Sequence, residues 1–238
     1  MRVLMLGGTA EARELADLLT NRPDVYLTVS LAGATRSPHV GDVTTRIGGF
    51  GSGAAFRAYL VANAIDRVVD ATHPFAARIS ARTAEIAAEM DVPYLQLLRP
   101  AWTPEPGDLW TMIPDEAGAR NYVKRTDRVF LATGRRTLEA FADMNAAHVW
   151  ARQIDPPEGP FPFPNGEFLV GRPPFSVEDE VELFTRLGID WLIVKNAGGD
   201  ASRSKLDAAR EMGLRVLMIE RPPPLDAPCV ETVEDVLA

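Results

Sequence analysis

Apolar positions along this chain fall into short continuous runs that alternate with stretches of helical spacing. Residues 3–6 form a run of the length and content that a fully buried parallel strand needs. Gly7-Gly8-Thr9 punctuates it, and Ala12, Leu15, Ala16 and Leu19 then recur at helical spacing across 10–20. Asn21-Arg22-Pro23-Asp24 stops that helix. The same reading predicts strands over 25–31, 43–47, 67–70 and 92–97, a glycine-rich turn over 48–53, and helices over 54–64 and 76–90. A second round predicts helices over 117–125, 137–144 and 202–212, and strands over 128–132, 148–152, 191–194 and 214–219, with a short one at 168–171. Ser176, with Asp179 three residues on, caps a helix that ends near 187 at Gly188. A short terminal helix covers 233–238.

Strands that alternate with helices imply parallel sheets covered on both faces. The expected class is α/β, with two doubly wound parallel-sheet domains of Rossmann or flavodoxin type. Three prolines within 99–108 mark a linker, so residues 1–100 form one domain and 109–238 the other, joined by 101–108. Five prolines within 155–165 mark a loop. The two halves echo one another without a repeat of fixed period.

Composition narrows the function classes. Hydrophobic residues make up 46% and charged residues 24%, which argues against a disordered chain. A net charge of −8 excludes a generally basic surface for nucleic acid and leaves room only for local basic pockets. The one cysteine, Cys229, excludes a disulfide framework and a cysteine-based zinc site. His39, His73 and His148 lie far apart, so no metal is expected. No apolar stretch suits a bilayer and the opening run is too short for a secretory signal, so the expected location is the cytoplasm, with no membrane partner. No Gly-x-Ser-x-Gly elbow, P-loop lysine or close carboxylate pair appears. Trp102, Trp110, Trp150 and Trp191 are scattered, as packing residues are.

Six strand-end motifs carry the candidate chemistry. Gly7-Gly8-Thr9-Ala10-Glu11-Ala12-Arg13 is either a plain tight turn or a turn whose backbone faces a ligand. Asp70-Ala71-Thr72-His73-Pro74-Phe75 ends the fourth strand; proline holds His73 extended and able to aim into a crevice, the alternative being Thr72 as a helix cap and His73 as a surface residue. Thr133-Gly134-Arg135-Arg136 repeats the strand–glycine–helix layout with two guanidinium groups, a phosphate-type site. Cations there oppose the helix macrodipole unless an anion binds. Lys195-Asn196-Ala197-Gly198-Gly199 reads as a ligand loop, and Ser202-Arg203-Ser204-Lys205 adds positive charge after it. Arg152 with Gln153, and Gly171-Arg172 before Pro173-Pro174-Phe175, bring further arginines that serve either a ligand or a structural ion pair.

Taken in order, these motifs, together with Tyr94-Leu95-Gln96-Leu97-Leu98-Arg99-Pro100-Ala101-Trp102, resemble the precorrin-6A reductase family of cobalamin biosynthesis, also called precorrin-6x reductases. The resemblance spans nearly the whole chain and is most specific at Asp-Ala-Thr-His-Pro-Phe and Lys-Asn-Ala-Gly-Gly. It implies an NADPH-dependent oxidoreductase that delivers hydride to C19 of the precorrin-6A macrocycle, giving precorrin-6B, with cofactor and substrate in a cleft between two αβ domains. No acid ends the second strand, where Ser30-Leu31-Ala32-Gly33-Ala34-Thr35-Arg36 stands, so NADPH suits the chain better than NADH. On that implied activity, Thr133, Gly134, Arg135 and Arg136 take the cofactor phosphates, and Gly171, Arg172, Lys195, Asn196, Gly198 and Gly199 complete the cofactor wall. Gly8, Thr9, Arg13, Thr72 and Arg152 fall to the carboxylate-bearing substrate, Phe75 stacks on its ring system, and the candidate proton donors are His73, an ordered water or a carboxyl such as Asp143 or Asp155. Two other classes compete: a non-catalytic two-domain ligand-binding protein, and a nucleotide-sugar transferase, for which no acidic metal or diphosphate site is evident.

Overall fold

The computed structural model describes residues 1–32 and 43–238. Residues 33–36, read above for the missing acid, and His39 lie outside the described residues. The chain forms two compact units, Met1–Pro100 with Pro222–Ala238, and Ala101–Arg221.

In the first unit the order is β1 (Arg2–Leu6), α1 (Ala10–Thr20), β2 (Tyr26–Leu31), β3 (Thr44–Ile47), α2 (Gly53–Ala62), β4 (Arg67–Asp70), α3 (Ala77–Glu89) and β5 (Tyr94–Leu97). The second holds β6 (Leu109–Ile113), β7 (Arg128–Ala132), β8 (His148–Gln153), β9 (Gly166–Val170), α4 (Val177–Leu187), β10 (Trp191–Lys195), α5 (Ser204–Met212) and β11 (Arg215–Ile219). The chain then returns to the first unit with β12 (Cys229–Val230) and α6 (Val233–Leu237). Each unit is built on a six-stranded sheet, ordered β12-β5-β4-β1-β2-β3 and β6-β11-β10-β7-β8-β9, and the described strand pairs are parallel.

β1 shows why its sequence is a continuous apolar run. Side chains alternate across a strand. Val3 and Met5 therefore pack with Leu15, Leu19 and Val29 on one face, and Leu4 and Leu6 with Phe56, Leu60 and Ile86 on the other. Each such buried side chain contributes about 1.5–3 kcal/mol relative to exposure. In the second unit, Phe130, Trp150, Leu192 and Val194 meet Phe184 of α4 and Leu206 of α5. α4 starts in a capping box, Ser176 Oγ accepting from Asp179 N at 3.0 Å, and ends at Gly188 with φ +60°, as its sequence predicts.

Four features differ from the sequence reading. The tail 222–238 belongs to the first unit: Gln96 N donates to Pro228 O and Leu98 N to Val230 O, both at 2.9 Å, and Val233 is buried in the α1 core. The stretch 101–108 is packed on the second unit, with Trp102 buried and Arg210 paired to Asp108 at 2.9 Å and Glu105 at 3.1 Å. Strands β6 and β12 were not anticipated. β6 is an edge strand with Leu109 and Met112 exposed, which blurs its pattern, and β12 has two residues. The segments read as helices at 117–125 and 137–144 are shorter 3-10 turns, Glu116–Asn121 and Arg135–Phe141. Gly118 weakens the first, and the buried pair Leu138 and Phe141, three residues apart, suits the tighter turn of the second.

The two sheets share a route. From β1 the chain runs outward through β2 and β3 and returns beside β1 as β4; from β7 it runs through β8 and β9 and returns beside β7 as β10. Strand order therefore reverses between β1 and β4, and again between β7 and β10. Such reversals open a crevice at the carboxyl ends of the strands.

Candidate functional site

In the first unit the reversal brings together two motifs that are about 60 residues apart in sequence. Thr9 Oγ1 caps α1 by accepting from Ala12 N at 3.1 Å, and it donates to Ala71 O at 2.8 Å, tying the end of β1 to the end of β4. A Cβ on Gly7 would lie 3.2 Å from Val29 Cγ1, a tight contact that glycine avoids where the turn passes close to β2. Gly8 has φ +134° and open space beside it. Arg13 is exposed on the first turns of α1.

Asp70 is fully buried at the end of β4. Its Oδ1 accepts from Thr72 N at 3.0 Å and its Oδ2 from Tyr94 Oη at 2.9 Å. Burial first, and then the charge of Asp70, push the Tyr94 phenol well above its ordinary pKa, so it stays a donor. Thr72 does not cap the helix: its hydroxyl lies 3.2 Å from Ser80 Oγ of α3. His73 is exposed, with Nδ1 accepting from Phe75 N at 3.2 Å and its ring 5.8 Å from the Phe75 ring. With Nδ1 an acceptor, the neutral imidazole carries its proton on Nε2.

In the second unit the reversal joins the Thr133–Arg136 turn to the Lys195–Gly199 loop. Gly134 (φ +77°) has no atom near the position of a Cβ, and Arg135 and Arg136 are exposed beside it. Lys195 Nζ lies 3.2 Å from Thr137 Oγ1 and 3.1 Å from Glu116 Oε1, which locks the end of β10 to the turn after β7. Gly198 and Gly199 take φ +68° and +78°, values that L side chains rarely adopt. Trp102 Nε1 donates to Gly199 O at 3.0 Å, and Arg221 donates to Asn196 O and Ala197 O at 2.8 and 2.9 Å, so this loop is held in place from behind.

Two expected ligand residues have protein partners. Asn196 is buried and mimics a backbone: its Oδ1 accepts from Trp102 N at 2.8 Å and its Nδ2 donates to Trp102 O at 3.0 Å. It holds the 101–103 segment, where the sequence placed it on the cofactor wall. Arg152, read as a substrate residue, makes a fork to Glu180 at 2.6 and 2.7 Å, with its guanidinium 4.8 Å from the Phe130 ring and 4.2 Å from that of Phe175. Glu180 is fully buried, and a buried carboxylate needs that partner. Lys205 lies near the pair and donates to Ser202 O; burial pulls its pKa down to about 8, against the pull of Glu180.

Gly171 sits where a Cβ would come within 2.9 Å of Phe175 Cζ, so glycine there seats the Phe175 ring. Arg172 is exposed, 3.9 Å from Asp155 Oδ1. A cavity of about 290 Å³ opens between the end of β9 and α4, lined among others by Leu169, Gly171 and Phe175. Burial raises the Cys229 thiol above its ordinary pKa, which disfavours the nucleophilic thiolate. No metal-holding group of His, Cys, Asp or Glu occurs among the described residues, and none of their helices is long and apolar enough to cross a membrane.

Sequence reasoning gave Asp70 no role beyond its place in the strand-end motif and missed Tyr94, Glu116 and Glu180 as site-shaping residues. Only Glu180 left a signal, a charge inside the apolar stripe of Val177, Val181 and Phe184. 

A model of the family described as precorrin-6x reductase CbiJ/CobK matches residues 2–238. The precorrin-6A reductase of Rhodococcus erythropolis is 45% identical over 238 residues, covering 99% of this chain and 94% of its own length. That of Rhodobacter capsulatus is 41% identical over 222 residues, covering 93% and 88%. The solved structure of CobK precorrin-6A reductase superposes with a TM-score of 0.93 at 39% identity, covering 100% of this chain and 94% of that one.

Proposed function

The chain belongs to the precorrin-6x reductase family, and from that premise we propose that it delivers hydride from NADPH to C19 of precorrin-6A, giving precorrin-6B. At the coarser level it is a precorrin-6A reductase, an oxidoreductase of cobalamin biosynthesis. Family membership leaves the ligand-binding and nucleotide-sugar readings without support.

The observation that carries the cofactor reading is the edge between β7 and β10. The Gly134 turn leaves room for close approach, Thr133 Oγ1 is buried without a partner among the described residues, and Arg135 and Arg136 supply positive charge in a chain of net charge −8. These groups suit a dinucleotide phosphate. When bound, NADPH supplies the hydride; the protein orients it and tunes the charge around it. Arg135 and Arg136 hold phosphate oxygens. Gly198, Gly199, Gly171 and Arg172 shape the wall.

The first unit offers the complementary chemistry. Gly8, Thr9 and Thr72 form a hydroxyl-bearing edge, Arg13 offers charge to a substrate carboxylate, and Phe75 offers an aromatic face. His73, as the imidazolium, gives its Nε2 proton to the carbon next to the one that takes hydride and is left as the neutral ring. Asp70, Tyr94 and Thr9 keep the strand end beneath His73 fixed, which is the positioning that general acid catalysis needs.

The test is anaerobic turnover of precorrin-6A with NADPH deuterated at nicotinamide C4. One deuterium at C19 of the product is expected. Product without deuterium at C19 defeats the proposal. In the same assay His73→Ala should lower turnover and leave NADPH affinity intact; turnover within about twofold of the parent would remove His73 as donor.

A further inference from the structure

Arg152 and Gln153 adjoin at the end of β8, and the structure separates their uses. Arg152 points to Glu180 of α4. Successive side chains on a strand face opposite ways, so Gln153 faces the other side of the sheet.

That side carries a row. Leu131 of β7 pairs with Ala151 of β8 and with Ile193 of β10. Two residues further along come Gln153 at the end of β8 and Lys195 at the end of β10, with Thr133 in the turn just past the end of β7. The row crosses three neighbouring strands at the carboxyl edge, beside the Gly134 turn. Gln153 is only 8% exposed, and its Nε2 has no hydrogen-bond partner among the described residues; Thr133 Oγ1, also buried, has none either. Buried polar groups are nearly always satisfied, and two neighbouring exceptions at a strand-order reversal call for a partner from outside the chain.

Position identifies that partner. In dinucleotide-binding sheets the residue at the end of the second strand, about 20 residues after the glycine turn, meets the adenosine ribose, and NAD-binding sheets place an acid there for the 2′-hydroxyl. β8 is the strand that follows the Gly134 turn, and Gln153 stands at its end. An acid would repel a 2′-phosphate, whereas a glutamine amide donates to one.

We propose that Gln153 is a cofactor-binding and specificity-determining residue, its Nε2 donating to the 2′-phosphate of NADPH, with Thr133 Oγ1 in the same row meeting the pyrophosphate. The assignment rests on the cofactor reading above and adds the residue that distinguishes NADPH from NADH.

The test is titration of the full chain with NADPH and NADH, beside the melting temperature without cofactor, for wild type, Gln153→Met and Gln153→Glu. Removing an unsatisfied buried amide should leave the Gln153→Met melting temperature at or above wild type. The same variant should raise the Kd for NADPH about tenfold and that for NADH by less than about threefold. Gln153→Glu should weaken NADPH more strongly still and spare NADH. NADPH affinity within about twofold of wild type in both variants overturns the assignment. So does an equal loss for both cofactors, or a Gln153→Met chain that melts well below wild type, which would mark the amide as structural. Wild type that binds neither cofactor would instead defeat the cofactor reading itself.

Discussion

Asp70, Thr9 and Thr72, at the edge between β1 and β4, are each answered by groups of the same unit: Thr72 N and Tyr94 Oη, Ala71 O and Ala12 N, and Ser80 Oγ. At the edge between β7 and β10, under the same strand order, Thr133 Oγ1 and Gln153 Nε2 have no partners among the described residues, and Arg135 and Arg136 are exposed in the turn after β7. Topology makes both edges candidate sites. Polar satisfaction tells them apart. The first edge is a finished platform, whose hydrogen bonds fix the backbone beneath an exposed histidine. The second holds a desolvation cost that the proposed anionic cofactor would relieve.

The sharpest break in this comparison is Arg152→Met. In the second unit Arg135 and Arg136 are exposed beside the Gly134 turn, whereas Arg152 is paired to a buried carboxylate. The substitution strands Glu180, fully buried, without a partner, and should cost about 3–5 kcal/mol. Urea unfolding would show it, and Arg152→Met with Glu180→Met should regain most of the loss, because both charges then leave the core together. Unchanged stability with a raised KM for substrate would return Arg152 to the substrate side.

Next in size is Asn196→Ala. It deprives the backbone N–H and C=O of Trp102, a buried residue, of their partners and should cost about 2 kcal/mol or more. Chemical denaturation checks the stability, and NADPH titration checks the alternative. A variant of normal stability with weakened NADPH binding would move Asn196 back to the cofactor wall and bring the second edge's count of ligand groups up by one.

These two residues also show where sequence stops informing. The sheets were legible because β1, β7 and β10 are buried on both faces and so read as unbroken apolar runs. Caps such as Thr9 and Ser176 were legible because their chemistry is local. The candidate motifs at strand ends stand out for the same reason, since glycine and cations beside an apolar run form a local pattern. What Arg152 and Asn196 bind was not legible, because their partners lie 28 and 94 residues away and only the folded chain brings them near. The destination of the tail was hidden likewise: β12 is two residues long, and its place beside β5 is a tertiary fact. Gln153 stood next to a more conspicuous arginine. Its significance appears only when register puts it in line with Thr133 and Lys195 and burial removes its water.

The smallest effect tests the finished edge. Tyr94→Phe removes the donor to Asp70 Oδ2 and leaves the buried carboxylate with Thr72 N, which should cost about 1–2 kcal/mol at neutral pH. The phenol's pKa is raised in the folded chain, by burial first and Asp70 second, so the native state holds this proton at pH values where the unfolded chain releases it. More protons bound in the native state mean that stability falls as pH rises, so the contribution of Tyr94 is fully present below its ordinary pKa of about 10 and is lost progressively above it. The gap between wild type and Tyr94→Phe, measured by urea midpoint, should therefore be constant through neutral pH and close above pH 10. A gap that stayed constant into strong alkali would mean that the phenol ionises alike in both states, and that the first edge holds its carboxylate without Tyr94. If His73 then kept its full turnover in Tyr94→Phe, the platform beneath it would owe its rigidity to Thr9 and Ser80 alone.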